Sequence, residues 1–387
     1  MDANYEIVTY RPELKRQIIE LQTHLWSPDL SLNASYFEWK YQQNPYLKEP
    51  LIYLAMHDGK AVGMRGFFGV QWECGVPAER FTCLYADDMV VAPEHRNRGL
   101  TAKIMTTAFE DLAAEGYDYV FNLSAGPVTL HSSLSVGWRS AGWMRPMRRR
   151  PWATVLKRAG LRRVKKSPAF PDKLVNFASK RLKRLSHSLD EDDLQQINNT
   201  LKHIPNISVE DVPRCEAMAE LVARTGTSGR IRHVRDRDYF RWRFQNPLSR
   251  YRYIYLGKDR LDAYLVLQEY TSDFIHWKWN MLNVVNWEAS SSAAREAVFN
   301  AALTVFAKTR DLVVWSATLP DPTIALLRKN SFRVMNPPRD LDVAHYAPAV
   351  LVRPIANFSA NSQWALGGQQ LLDLTAWDLQ MLYSMLG

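Results

Sequence analysis

Cysteine is scarce in this sequence, and its spacing excludes most cysteine chemistry. Cys74, Cys83 and Cys215 are the only three in 387 residues, and they lie far apart without a CxxC pair. An odd, scattered set does not suit a disulfide framework, and it lacks the paired spacing of a structural zinc site. We therefore expect no disulfide and no metal site.

Long apolar runs are also missing. No stretch approaches the roughly 20 apolar residues that a membrane-spanning helix needs. Residues 1–17 have no apolar core of signal-peptide length. The composition is 47% hydrophobic and 12% aromatic, which is typical of a folded globular protein, and 387 residues favour two domains. These features predict a cytoplasmic protein.

Acidic residues are nearly absent from one segment. Residues 145–184 contain fifteen Lys or Arg and one acid, Asp172, so this segment carries +14 and the rest of the chain −5. Apolar residues such as Trp152 and Phe177 interleave with the charges. The segment could lie at the surface of an anionic membrane, meet a phosphate-rich partner, or be a solvated linker between domains. The sequence leaves these three readings open.

An internal repeat divides the chain. YFEWKYQQNP at 36–45 returns as YFRWRFQNP at 239–247, and the flanking patterns of strands and helices keep the same order. We predict two domains of one fold, 1–150 and 205–387, joined by a basic linker at 151–204 with amphipathic helices. Aromatic residues of the motif could stack on a sugar. Because the motif occurs in both domains, a structural role is favoured.

Each domain has the pattern of an α/β fold with a mixed sheet. In the first domain a long strand covers 81–92, a helix covers 100–114 and ends at Gly116, and a further strand covers 117–124. The last stretch, 364–387, is predicted to be a strand or helix with aromatic residues at an exposed end.

The stretch VVAPEHRNRGLTAKIM at 90–105 links the long strand to that helix. The first amides of a helix have no partner within the helix, and the helix dipole adds about half a positive charge there. Glycine lets a ligand approach the backbone closely. A basic loop with one glycine at this place therefore favours a pyrophosphate site. It is not a Walker loop, since GxxxxGK[ST] is absent.

This stretch resembles the acetyl-coenzyme A signature of the GNAT N-acetyltransferase superfamily, V-x-P-x-x-R-x-x-G-x-[GA]. Val91, Pro93, Arg96 and Gly99 match it, whereas Thr101 stands where that family has Gly or Ala. SVGWRSAGW at 135–143 is similar to the end of the family's fourth helix. FxWKYxxNP resembles a bacterial GNAT subgroup associated with polysaccharide or cell-envelope work.

In the second domain the resemblance extends to the scaffold alone. LNVVNWEASSSAAREAVF at 282–299 lacks Arg-x-x-Gly, so we expect coenzyme A to bind in the first domain only. The resemblance implies two tandem GNAT-like domains, each a mixed, mostly antiparallel sheet flanked by helices. It also implies that acetyl-coenzyme A is the acyl donor. The cofactor-binding residues that it implies are Met89, Val90, Val91, Arg96, Asn97, Arg98, Gly99, Leu100, Thr101 and Asn122.

The resemblance also implies direct attack by a primary amine, which requires a base. Asp87 is the candidate, Tyr85 shares its face of the strand, and Asp88 or an ordered water is the alternative. Only one of the two carboxylates faces the cleft unless a bulge intervenes. The family's usual tyrosine acid is missing, since Ser133 stands there. His131, Ser132 or Ser133 could protonate the leaving thiolate.

Three functions remain open on this sequence. The first is N-acyltransfer to a small-molecule or glycan amine, such as a cell-envelope precursor, with the enzyme held near the inner face of the membrane by 145–184. The second is a Fem-like transferase that takes aminoacyl groups from tRNA, which an intact Arg-x-x-Gly loop disfavours. The third is a non-catalytic protein that binds acyl-coenzyme A. No dedicated nucleic-acid reader is predicted, because helix-turn-helix, zinc-finger and RNA-binding signatures are absent.

Overall fold

The computed structural model describes residues 4–151, 189–271, 281–335, 348–355 and 364–384. Most of the basic segment predicted at 145–184 therefore lies outside the described residues. Of the predicted linker at 151–204, the structure describes residue 151 and residues 189–204, and the latter contain one α-helix, Leu194–Leu201. No helix in these ranges is long and apolar enough to span a membrane. All three cysteines are buried and free.

The first half of the chain alternates strands with helices. The strands are β1 (Glu6–Thr9), β2 (Leu51–His57), β3 (Lys60–Cys74), β4 (Glu79–Val91), β5 (Tyr119–Ala125), β6 (Arg139–Trp143) and β7 (Pro146–Arg149). The helices are α1 (Lys15–Gln22), α2 (Leu30–Phe37), α3 (Leu100–Ala114) and α4 (Pro127–Leu134). A single π-helical turn, Glu38–Gln42, continues α2. The long strand and the helix predicted at 100–114 are thus confirmed.

The second half repeats this order. Its strands are β8 (Ile207–Glu210), β9 (Arg232–His233), β10 (Ser249–Leu256), β11 (Ala263–Tyr270), β12 (Met281–Ala289), β13 (Asp311–Trp315), β14 (Arg333–Val334), β15 (Ala349–Pro354), β16 (Ala365–Leu366) and β17 (Gln369–Gln370). Its helices are α5 (Leu194–Leu201), α6 (Cys215–Thr225), α7 (Arg237–Arg243), α8 (Ser292–Val305) and α9 (Asp321–Lys329).

These strands form two large sheets and a small hairpin of β16 and β17. The first sheet has the order β1-β2-β3-β4-β5-β15-β6, with β9 paired to β3, and the second has the order β14-β7-β13-β12-β11-β10-β8. In each large sheet one pair is parallel, β4 with β5 and β12 with β13, and the other described pairs are antiparallel. The predicted fold, two mixed, mostly antiparallel sheets flanked by helices, is confirmed.

The two sheets exchange a strand. β7, from the first half of the chain, lies in the second sheet between β13 and β14. β15, from the second half, lies in the first sheet between β5 and β6. Each sheet therefore depends on a strand from the other half of the chain. The division at 150 and 205 stays a prediction about sequence ranges.

The repeated motif forms the contact between the two halves. The rings of Trp39 and Trp242 stack with centroids 5.4 Å apart and an angle of 15° between their planes. Each indole nitrogen donates to the other residue's main-chain carbonyl, at 2.7 Å from Trp39 and 2.9 Å from Trp242. Both side chains are buried, so the structural role predicted for these aromatic residues is confirmed.

Candidate active site

The parallel strands β4 and β5 part near the middle of the first sheet. They pair at Leu84 with Val120 and at Tyr85 with Phe121, and no further pair joins them in the described residues. The side-chain amide of Asn122 donates to the carbonyl of Ala86 at 3.0 Å and bridges the start of the gap. Beyond this bridge the backbone of β4, towards Val91, has no strand partner on the β5 side.

The loop after β4 leaves the start of α3 open. Gly99 precedes the helix with a φ of 71°, and no side chain caps the first helical amides. A Cβ atom added at Gly99 would meet nothing within 4 Å, so the space beside this glycine is open. Asn97 also has a positive φ, 61°. This geometry suits an anion, because unpaired amides and the helix dipole face the same space.

Basic side chains around this loop are held by protein oxygens. Arg96 donates through Nε to the carbonyl of Val91 at 3.1 Å. Arg98 donates to the hydroxyl of Tyr5 at 3.0 Å, and Lys103 donates to the main-chain carbonyl of the same tyrosine. Their charges therefore stay close to the helix start. Leu100 points into the core, so its amide alone can face a ligand.

A β-bulge brings the two adjacent acids of β4 to one place. Gly66 of β3 pairs with Asp87, whereas the next pair joins Met64 to Val90, so β4 carries one extra residue. Asp88 absorbs this insertion with a φ of 52°, which is uncommon for a residue other than glycine. The side chains of Asp87 and Asp88 consequently reach the same cation, although strict alternation would send them to opposite faces.

That cation is Lys40, on the π-helical turn. Its ammonium lies 2.7 Å from Oδ2 of Asp87 and 2.8 Å from Oδ1 of Asp88, and its side chain is fully buried. It also donates to the hydroxyl of Tyr36 at 3.3 Å. The lysine is part of the repeated motif, but the sequence alone carried no sign that it points inward.

The two carboxylates differ in their remaining partners. Asp88 accepts further hydrogen bonds from Trp26, Tyr41 and Gln22 at 2.9, 2.8 and 3.1 Å, and its side chain is fully buried. Asp87 has only the hydroxyl of Ser124 near Oδ1, at 3.5 Å, and 11% of its side chain is exposed. The oxygens of Asp88 are therefore fully engaged, whereas part of the Asp87 side chain remains exposed.

Burial raises the pKa of Asp87, and the nearby charge of Asp88 raises it further, while Lys40 lowers it. A raised pKa makes a carboxylate a better proton acceptor than an ordinary surface aspartate. Tyr85 lies beside it, stacks on Phe68 and accepts a hydrogen bond from the amide of Leu123 at 2.9 Å. Burial raises the pKa of Tyr85, so its hydroxyl stays protonated.

The residues considered as proton donors lie on α4. Ser133 is buried and its hydroxyl has no hydrogen bond with the described residues, whereas His131 is exposed. Ser132 donates to the carbonyl of Thr129 at 3.0 Å. No contact among the described residues joins either Ser133 or His131 to Asp87.

Comparison with known proteins agrees with this geometry. Residues 9–138 match the family model of the acetyltransferase (GNAT) domain. The match covers part of the first half of the chain. Members of this family move acyl groups from coenzyme A to amines. No curated protein matches the sequence.

Solved structures share the fold over both halves of the chain. A GCN5-related N-acetyltransferase from Anabaena variabilis ATCC 29413 is 13% identical with a TM-score of 0.54, and the match covers 91% of this chain and 73% of that one. A probable N-acyltransferase of unknown function from Enterococcus faecalis V583 is 11% identical with a TM-score of 0.53, with the same coverage. A GCN5-related N-acetyltransferase from Kribbella flavida is 12% identical with a TM-score of 0.52, covering 91% and 72%. At these identities the likeness shows the fold alone.

The second sheet has a similar gap that the chain itself fills. β12 and β13 pair as far as Asn283 with Val313 and then part. There Gln380 accepts from the amide of Trp287 at 3.0 Å and from the side chain of Asn286 at 2.7 Å. Two strands that part like those of the GNAT domain thus hold a segment of the same polypeptide between them.

The start of the helix that follows β12 is capped by a side chain. The side chain of Ser291 caps α8 by accepting from the amide of Ala294 at 3.1 Å. The prediction that aromatic residues near the C-terminus are exposed is wrong, because Trp377 and Tyr383 are buried. They are buried because the terminal segment packs against both halves of the chain: Trp377 contacts Phe121 and Tyr383 contacts His233. Local sequence does not reveal such long-range contacts.

No group of three or more His, Cys, Asp or Glu side chains in the described ranges could hold a metal ion.

Proposed function

We propose that this protein transfers an acetyl or other acyl group from coenzyme A to a primary amine, using the first domain. One observation carries this proposal: the uncapped start of α3 lies at the end of the same strand that carries Asp87 at its bulge. One strand would thus position both the pyrophosphate at the helix start and the reacting thioester beside Asp87. The matched GNAT domain supplies the reaction class.

The donor would lie along the free edge of β4. Main-chain groups of Met89, Val90 and Val91 would bind its pantetheine arm, and Asn122 would border the arm where the strands part. The amides of Arg98, Gly99, Leu100 and Thr101 would hold the pyrophosphate, with Arg96, Asn97 and Lys103 nearby. The Thr101 departure from the family signature adds a hydroxyl and a methyl group next to this cradle.

The amine would attack the thioester carbonyl directly. Asp87 would take the proton of the attacking amine, a main-chain N–H of β4 would stabilise the oxyanion, and the bond to sulphur would break. The departing thiolate needs little assistance, and Ser133 or His131 is the proposed proton donor when one is used. Asp88 is not proposed as the base, since four donors already occupy its oxygens.

The second domain would shape the acceptor site. Tyr36, Phe68 and Tyr85 share one hydrophobic cluster with residues of the second half, and the side chain of Asp87 leaves β4 on this side. We propose a glycan or cell-envelope precursor as the acceptor, from the subgroup likeness of FxWKYxxNP alone. Because Trp39 and Tyr41 are buried, these rings would not stack on a sugar. A site at the inner face of the membrane, reached through 145–184, belongs to the same proposal.

Calorimetric titration with acetyl-coenzyme A tests the donor site. We expect micromolar binding by the wild type and its loss in Gly99→Asp, where a carboxylate would occupy the anion cradle. Gly116→Asp is the matched control. Gly116 ends the same helix, has a φ of 87°, and offers the same open space to a new side chain. Both variants carry similar backbone strain and the same added charge, at opposite ends of α3.

Loss of binding in Gly99→Asp together with retention in Gly116→Asp would support the proposed donor site. No binding by a folded wild type would remove coenzyme A from the proposal. Equal loss in both variants would trace the effect to helix stability, which thermal unfolding of each variant would report.

A further inference from the structure

We propose that Lys40 is a positioning residue that keeps Asp87 ionised and able to accept a proton, with Asp88 as its fixed counter-charge. This inference rests on the proposed role of Asp87 as the base. The ammonium touches both carboxylates at 2.7 and 2.8 Å, and it approaches no substrate-facing surface because its side chain is fully buried. Lys40 therefore acts on the reaction through Asp87.

The lysine is held in place by aromatic rings on several sides. Its nitrogen lies 5.1 to 5.6 Å from the ring centroids of Trp26, Tyr36, Tyr41 and Phe68. Such faces attract a cation and exclude water, which strengthens the interaction of the ammonium with both carboxylates. The position of the charge is consequently fixed before any substrate binds.

Removing this charge would leave two carboxylates side by side in a buried site. Neighbouring carboxylates cannot both stay ionised near neutral pH without compensation, and one of them then retains its proton. Asp88 has three other hydrogen-bond donors that favour its ionised form, whereas Asp87 has only Ser124 at 3.5 Å. The proton would therefore settle on Asp87, and the base would be lost.

Other charges near Asp87 do not replace the lysine. Arg65 lowers the pKa of Asp87, but its guanidinium forms no ion pair or hydrogen bond with the described residues. The remaining titratable groups around the acid are Asp88, Tyr36, Tyr41 and Tyr85, and burial raises the pKa of each of the three tyrosines. Neutral phenols supply no positive charge, so Lys40 is the one cation bonded to the pair in this part of the chain.

The second half of the chain provides an internal comparison. The repeated motif has Arg243 where the first copy has Lys40, and the bulge of β12 carries Val285 beside Asn286 in place of two acids. Arg243 donates to the main-chain carbonyls of Leu382 and Ser384, on the terminal segment. In the second half, where the two acids are missing, the arginine of the motif thus binds the terminal segment.

The test is a carboxyl titration by ¹³C NMR on the full chain labelled at aspartate, with Asp87→Asn to assign the signal. We expect the Asp87 midpoint to rise by more than about one pH unit in Lys40→Met and to fall in Asp88→Asn. Lys40→Arg keeps a charge and should restore most of the midpoint. If Lys40→Met titrates at the wild-type midpoint, the inference is wrong.

A second pair of variants gives the same test if Lys40→Met does not fold. Asp88→Asn and Lys40→Met/Asp88→Asn differ only in the lysine, and the double variant removes one charge of each sign. Its Asp87 midpoint must lie above that of Asp88→Asn, and equal midpoints would overturn the proposal. Acetyl-coenzyme A binding, measured on the same samples, reports separately on the proposed function, because the pyrophosphate site does not include Lys40.

Discussion

Separating the chain between residues 168 and 169 would put the exchanged strands on different polypeptides. A fragment of residues 1–168 contains β1 to β7 but lacks β15, which lies between β5 and β6 in the first sheet. A fragment of residues 169–387 lacks β7, which lies between β13 and β14. Each fragment alone would therefore have a gap inside its sheet.

The size of the loss follows from β15. Ala349, Val350, Leu351 and Val352 are all fully buried in the structure. Full burial of a Val or Leu side chain contributes about 1.5–3 kcal/mol, so the three larger residues contribute about 5–9 kcal/mol. Complete domains are stable by only about 5–15 kcal/mol. Removing β15 is therefore expected to leave the first fragment without a cooperative fold.

Each fragment would be purified alone and after co-expression with the other. We expect the separate fragments to show no cooperative thermal transition, and the co-expressed pair to elute as one complex that binds acetyl-coenzyme A. A matched pair of substitutions in the intact chain gives the same test with less disruption. Leu351→Asp should prevent folding, whereas Leu372→Asp, at a site 37% exposed, should be tolerated.

A single result would refute this reasoning. If residues 1–168 alone unfold cooperatively at a temperature near that of the full chain, the first sheet does not need β15. The family match ends at residue 138, so sequence comparison gives no warning of this dependence.

Three further results are expected. Trp39→Phe or Trp242→Phe removes one indole donor and leaves a buried carbonyl unpaired. Each substitution should therefore lower the free energy of unfolding, measured in urea, by about 1–3 kcal/mol. The two effects should not add in the double variant, and additive effects would argue against direct contact. Calorimetry should give one acetyl-coenzyme A per chain even in Ser291→Gly, because Gln380 still fills the second gap, and two sites per chain would contradict this. All three thiols are buried, and burial raises the pKa of Cys83 well above its usual range. A thiol reagent should therefore react only after unfolding, and fast reaction of the native protein would be inconsistent with this packing.

Local sequence predicted much of the secondary structure of the first domain. The alternation of 79–91, the apolar spacing of α3 and the glycine before it depend on neighbours a few residues apart, and these were predictable. The internal repeat gave the number of similar units. The loop signature led to the family because its residues act through backbone geometry that the sequence encodes directly.

The arrangement around Asp87 could not be predicted from local sequence. A bulge is a mismatch between two strands, so the extra residue at Asp88 is visible only when β3 is paired with β4. Lys40 lies 47 positions before Asp87 in the chain, and its inward direction depends on the π-helical turn and on four surrounding rings. The sequence suggested two acids with one facing the cleft, whereas the fold joins both to one lysine.

By itself the sequence determined the likeness of the first domain to the GNAT domain, the repeated α/β units and the one loop with an arginine and a glycine, since these depend on local periodicity and short-range backbone preferences. Tertiary structure alone decided that the sheets exchange β7 and β15, that the terminal segment fills the second gap, and that Lys40 balances the two acids. Such features depend on contacts between distant parts of the chain. Their free energies come from burial and charge pairing, which no local pattern of residues records.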